Sequence, residues 1–424
     1  MRGWKRGAAL IFAAGLVLSG CGRDEDGGAG GGEEAKGISE GPATGEITVW
    51  AMGAEGEKLP TLAKEFEAAN PGVTVKITPV PWDAAHDKIA TAIAGRQTPD
   101  VSMLGTTWMG EFTKTGALDP TPSEIDKSQF FPGAWDTTVV NGTAYGVPWY
   151  VETRLIFYRK DLAEKAGLEP PTSWDSLKAF AEGMQQKAGA KWGIYLQPGG
   201  TGSWQTMMPF AWQAGAQEVS DDGKTFTLDS PEMAKALDYY KSFFDAGLSP
   251  KAPLQGNALE QGFVNGTIGS FVSGPWHVGL VRDLGGAGFM DKVGLAQMPK
   301  EQTGTSFIGG SDLAVFKDSK NRDSAWKFVQ FLSQPETQVK WYQTVADLPA
   351  VKSGWEDPKL KTDPMLSQFG QQLNDAKAPP AIPTWEQVAA VIDAEIEKSV
   401  KAGTSGQDAV KAMQEKASQI GTGA

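Results

Sequence analysis

The sequence predicts an α/β protein with more than one folded unit. Strand-like and helix-like patterns alternate from Glu46 onward, and 424 residues exceed what one ordinary core accommodates. The composition, 40% hydrophobic and 21% charged with abundant Gly and Pro, is that of a globular chain. Residues 46–51 (EITVWA) alternate Ile47 and Val49 as a first strand. Leu59, Leu62, Ala63 and Phe66 recur at helical spacing up to the turn signal Asn70-Pro71-Gly72. Val73, Val75 and Ile77 alternate as a second strand. Ile89, Ala90 and Ile93 mark a further helix, and residues 101–104 are a short apolar strand. This order implies parallel pairing, with ligands beyond the carboxyl ends of the strands at 52–55, 82–83 and 105–108.

Residues 145–159, YGVPWYVETRLIFYR, organise the rest of the chain. Gly146 and Pro148 open it as a turn, and residues 151–158 read as one strand buried on both faces. Alternation puts Glu152 and Arg154 on one side. With Trp149 and Tyr150 they read either as a seat for a polyhydroxylated ligand or as a structural ion pair against core aromatics. Downstream, Thr172 is an N-cap candidate for a helix carrying Trp174, Leu177, Phe180 and Met184, and residues 192–196 suit a strand. The run PGGTGS at 198–203 lacks the Lys and the glycine spacing of a phosphate loop. Residues 231–246 and 258–264 read as helices, and residues 268–272 as a strand ending at Ser273-Gly274-Pro275-Trp276. A long strand with a glycine kink follows at 307–316. Helices fill 323–332, 335–343, 384–400 and 406–419, with Thr384 and Gln387 as a capping box.

Charge and composition exclude several functions. There are 51 acidic and 39 basic residues, for a net charge of −12. Such a body repels nucleic-acid phosphates and anionic lipid head groups. The one cysteine, Cys21, permits no internal disulfide, and His86 and His277 lie outside any metal-ligand spacing. Neither a metal nor another cofactor is implied. Residues 1–20 show Arg2, Lys5 and Arg6 followed by an apolar run too short to span a membrane, the pattern of a signal peptide. Leu18-Ser19-Gly20-Cys21 resembles the bacterial lipobox, which implies lipidation at Cys21 and a membrane anchor. Residues 21–45, Gly-rich and poor in large apolar side chains, read as a disordered tether.

From residue 46 to about 420 the order of motifs resembles the extracellular solute-binding proteins of ABC sugar importers, the family of maltose-binding protein. The marks are Asn70-Pro71-Gly72-Val73, Thr98-Pro99-Asp100-Val101, Tyr145-Gly146-Val147-Pro148, Tyr158-x-Lys160-Asp161-Leu162, Ser273-Gly274-Pro275-Trp276, Gly309-Gly310 and Ala325-Trp326-Lys327-Phe328. The resemblance implies a type II periplasmic-binding-protein-like fold: two α/β lobes joined by a hinge of chain crossings, with the ligand cleft between. Residues 46–151 and 310–350 would form lobe 1, and residues 152–309 and 351–424 lobe 2. It implies no enzyme and no catalytic residue. The protein would be a monomer that binds a mono-, di- or short oligosaccharide outside the cytoplasm and hands it to permease subunits.

A sugar offers hydroxyls to carboxylates and Arg, and flat C–H faces to aromatic rings. On those grounds the candidate ligand-binding residues are Glu55, Trp82, Asp83, Trp108, Trp149, Glu152, Arg154, Trp204, Trp276, Gly310, Asp312, Trp385 and Glu386. By resemblance, Glu152 matches a hinge carboxylate, and Trp276 and Trp385 match sugar-stacking positions. Two alternatives use the same residue types. One is a glycoside hydrolase, which needs a spaced carboxyl pair. The other is a binding protein for a polyol or glycerophosphodiester, the latter disfavoured by the few basic residues near the cleft.

Overall fold

The computed structural model describes residues 35–423; the signal-peptide and Cys21 readings lie outside the described residues, as does the side chain of Asp83. Three strands open the fold: β1 (Thr44–Met52), β2 (Gly72–Val80) and β3 (Val101–Gly105). β1 pairs in parallel with both neighbours, as the strand and helix alternation predicts. The intervening helices, Pro60–Ala69 and α1 (Trp82–Gly95), bury Leu62, Ala63, Phe66, Ala85 and Ile89. The first of them stops at Asn70, whose backbone N–H caps back to Phe66 and Glu67.

The stretch 145–159 departs from the single strand predicted for it. It forms β4 (Val147–Thr153) and β5 (Leu155–Arg159), which belong to different sheets, with Arg154 alone between them. Later strands are β6 (Ser270–Ser273), β7 (Val293–Ala296), β8 (Ser306–Val315), β9 (Leu348–Pro349) and β10 (Ala376–Lys377). The large sheet runs β9-β4-β8-β3-β1-β2, with β10 beside the start of β8; the small one runs β6-β5-β7. Residues 192–196 make only isolated bridges, Trp192 to Ile268 and Tyr195 to Phe271.

Helices cover the small sheet. They include α2 (Trp204–Gln213), α3 (Ala258–Val264), α4 (Trp276–Gly285) and α5 (Trp385–Ala402). Two caps differ from expectation. Ser173, not Thr172, caps the helix Trp174–Gln186, in a capping box with Ser176. Thr384 makes no side-chain cap; its hydroxyl donates to the Gly421 carbonyl instead. The final ten residues of the stretch read as a tether are also held. Arg322 donates to the Lys36 and Gly37 carbonyls, the Ile38 N–H donates to Glu124, and β1 already starts at Thr44.

The architecture is therefore two α/β lobes joined where strands pass between sheets. β4 ends in the large sheet and β5 starts in the small one. β8 runs against β4 and β3 and carries Gly309 and Gly310, with a register shift between Ser311 and Asp312. Gly310 has φ +128°, and a Cβ placed there would lie 2.1 Å from the Tyr150 carbonyl oxygen. Glycine is required at this crossing by conformation and by space together. Gly310→Ala is expected to cost about 2–4 kcal/mol of unfolding free energy. Chemical denaturation monitored by circular dichroism measures that loss.

Candidate functional site

Where the crossings meet, a cavity of about 230 Å³ opens between the lobes. The ends of β2 and β3 and the start of α1 bring Trp82, Thr106, Thr107 and Trp108 to one wall. β4 supplies Tyr150 and Glu152, β8 supplies Phe307, Gly309 and Gly310, and the first turn of α2 supplies Gln205. Trp82 and Trp108 meet edge to face at 5.9 Å. Gln205 also lines a second cavity of about 460 Å³, bounded by residues 200–202, Trp204 and α5 residues including Glu386. The two spaces adjoin through one side chain, and together they fall in the size range of small-molecule sites.

Arg154 is the polar centre. Its guanidinium, almost fully buried, donates to Glu152 Oε2 at 3.3 Å and to Gln205 Oε1 at 2.6 Å. It lies over the Trp276 ring at 4.6 Å and the Phe307 ring at 5.1 Å. Its backbone carbonyl accepts from the Ser306 hydroxyl, 2.8 Å away. Glu55, at the start of the short helix after β1, accepts a hydrogen bond from the Tyr150 hydroxyl, and burial pushes its carboxyl above the ordinary range. Asp347, which accepts from Trp341 Nε1 at 2.9 Å, is pushed well up by burial and then by Glu55 and Glu152.

The structure thus brings Glu55, Trp82, Trp108, Glu152, Arg154 and Gly310 to one cleft. Trp276 sits at its rim, 40% exposed, and Glu386 borders the second cavity. Other candidates are placed elsewhere. Strand alternation turns Trp149 away from Tyr150 and Glu152, into the core, where it stacks on Trp341 at 4.8 Å. Trp385 is fully buried and meets Trp204 edge to face at 5.2 Å. Trp204, 4% exposed, packs on Phe307 yet still borders the second cavity, beside Glu386. Asp312 falls beyond the register shift, is fully buried, and faces Thr137 rather than the cleft. The sequence placed Tyr150 in the possible ligand seat and residues 105–108 at a ligand-bearing strand end without choosing Tyr150, Thr106 or Thr107 as candidates, and it did not single out Gln205 or Asp347. Tyr150 carried a signal in its parity with Glu152, and Thr106 and Thr107 in their place at a strand end; Gln205 and Asp347 depend on distant segments meeting.

The glycine-rich run before α2 has its own occupant. Asp393 of α5 accepts from the backbone N–H groups of Gly202 and Trp204 and from the Ser203 hydroxyl, at 2.7–2.8 Å. The helix N-terminus that could hold an external anion is filled by this carboxylate. Among the described residues no group of His, Cys, Asp and Glu could hold a metal ion, and no helix is long and apolar enough to cross a membrane.

Residues 51–339 match the family model described as bacterial extracellular solute-binding protein. The chain belongs to that family. The sugar-binding protein MalE of Xanthomonas citri superposes with a TM-score of 0.84 at 33% identity, covering 89% of this chain and 97% of that one. A maltotriose-binding protein of Pyrococcus abyssi is 28% identical over 82% of this chain and 77% of its own. The diacetylchitobiose-binding protein of Streptomyces coelicolor is 29% identical over 90% and 89% respectively. These relatives are named as binding proteins, not enzymes, and the fold of this solute-binding protein is the MalE-like type II arrangement.

Asp312 supplies a pH test of the hinge strand. Burial lifts its carboxyl to about 8, opposed only in part by the Thr137 hydroxyl. That hydroxyl also lies 2.7 Å from the Ala134 carbonyl, an acceptor for its single proton, so a protonated Asp312 completes the chain as donor. Between the unfolded carboxylate value near 3.9 and about 8, the native state holds a proton that the unfolded chain has released. Its stabilising contribution is complete at low pH and lost as pH rises through about 8. Comparing unfolding midpoints of the wild type and Asp312→Asn from pH 5 to 9 should show the variant with the flatter profile.

Proposed function

We propose that this protein is the carbohydrate-binding subunit of an ABC importer, capturing a mono-, di- or short oligosaccharide by lobe closure and delivering it to the permease. The observation that carries this is the cleft itself. Glu152 stands at the first crossing with Trp82 and Trp108 on one wall and the Arg154, Gln205 and Phe307 group on the other. Rings for C–H faces, with carboxylate, amide and hydroxyl groups for sugar hydroxyls, are what such a ligand needs. The adjoining second cavity favours more than one sugar ring. Relatives named for maltotriose and diacetylchitobiose support the same ligand class.

The lobe boundaries that fit this reading run at Arg154, within β8 near Gly310 and after Pro349, with residues 351–423 returning to the second lobe. The protein works as a monomer, without catalysis, held to the outer face of the cell membrane by lipid on Cys21. Thermal-shift screening against mono- and disaccharides, maltotriose and diacetylchitobiose tests the ligand class. A sugar that binds only the native state raises the midpoint by mass action. The expected result is a clear shift with at least one sugar and no cleavage of it; no shift with any carbohydrate overturns the assignment. Glu152→Gln should then weaken binding by roughly 10- to 100-fold, the size of a lost charge-assisted hydrogen bond, as isothermal titration would measure.

A further inference from the structure

Behind the rim tryptophan lies a buried row of three polar side chains. Ser273 ends β6, Gly274 and Pro275 turn the chain, and Trp276 and His277 begin α4. The Ser273 hydroxyl and His277 Nδ1 are 2.8 Å apart, so this bond closes the turn that presents Trp276. On the far side of the imidazole, Nε2 lies 3.1 Å from Glu260 Oε1, supplied by α3. All three residues are at most 9% exposed. The turn itself is tight: a Cβ at Gly274 would lie 2.0 Å from the Trp276 ring, so the indole folds back over the glycine.

Stability alone does not account for this row. The Nε2 to Glu260 contact is close but too poorly aligned for a hydrogen bond, and Glu260 Oε2 has no partner. A buried, incompletely satisfied polar pair is costly, and an apolar filling among Phe157, Phe271 and His277 would serve the core better. Burial, opposed by Glu260, holds the imidazole below its ordinary range, so the ring is neutral near neutral pH. In that state Nδ1 accepts from Ser273 and the Nε2 proton faces Glu260.

We propose that Glu260, His277 and Ser273 form a positioning relay that fixes the Gly-Pro-Trp turn, making His277 a determinant of sugar affinity without touching the sugar. The relay holds the Trp276 indole against the Arg154 guanidinium, which is bonded to the cleft residues Glu152 and Gln205. The ligand part of this inference rests on the carbohydrate reading above; the placement of Trp276 does not.

The test has two readouts. The emission of Trp276 is isolated as the difference between each protein and its Trp276→Phe counterpart, and its quenching by acrylamide is measured without ligand. Binding of maltotriose, with diacetylchitobiose as a second probe, is measured by titration calorimetry. His277→Phe, which keeps bulk but removes both polar ends, should increase acrylamide access to Trp276. It should weaken sugar binding about three- to tenfold, the scale of a loosened aromatic contact. His277→Asn, which can still accept from Ser273, should restore most of both. Should His277→Phe fail to fold, Glu260→Gln compared with wild type carries the test, with greater acrylamide access to Trp276 and weaker sugar binding expected. Unchanged Trp276 quenching and unchanged affinity in His277→Phe, or in Glu260→Gln where it stands in for that variant, overturn the relay. If the wild type binds neither sugar, the carbohydrate reading is put in question and the quenching arm alone decides the relay.

Discussion

Thr153 and Leu155 belong to different sheets, and one residue spans the gap between them. A chain leaving a sheet abandons the ladder that satisfied its backbone, so the carbonyl of that residue needs another donor. The Ser306 hydroxyl, from the strand that forms the second crossing, supplies it to Arg154. The two crossings are thereby fastened to each other at the backbone. The side chain meets the same demand, because a buried guanidinium must be neutralised or bonded. Glu152 and Gln205 provide the polar contacts, and Trp276 and Phe307 the ring faces. Hinge, cleft and polar centre coincide because one residue must be satisfied from all sides at once.

The chemistry around that point is acidic without being suited to cations alone. Glu55, Glu152 and Asp347 surround the Tyr150 hydroxyl, and burial raises the carboxyls of Glu55 and Asp347. Such a cluster of carboxyls accepts hydrogen bonds from ligand hydroxyls and disfavours a phosphate. The glycine-rich run is likewise closed to external anions, because Asp393 already occupies its N–H groups.

Much of the fold was legible because it is local. The alternation in β1 and β2, the stop at Asn70 and the glycines of β8 follow from periodicity and from conformations that few residues adopt. The candidate site was legible in part. Glu152 was readable from its place in residues 145–159, and strand parity already separates Tyr150 and Glu152 from Trp149. A tryptophan at a strand end or helix start does not disclose which way it turns, so Trp385 reads as a platform and proves to be core. Ser311 pairs with Tyr150 and shares its face, so alternation turns Asp312 the other way, and the sequence alone does not reveal that pairing. Gln205 and Asp347 join the cleft only through segments far apart in sequence, and nothing in their own neighbourhoods marks them.

Arg322 ties more than a loose end. Its guanidinium is anchored on Asp119 and Asp323 while it grips the Lys36 and Gly37 carbonyls, so the chain enters the body already clipped to the lobe of the large sheet. Any load applied through the amino terminus is delivered there and bypasses the crossings at Arg154 and Gly310. The lobe of the small sheet remains the unburdened member of the pair. A sensor immobilised by its amino terminus would therefore leave that lobe unattached, and a dye placed on it would report any lobe closure against a fixed frame.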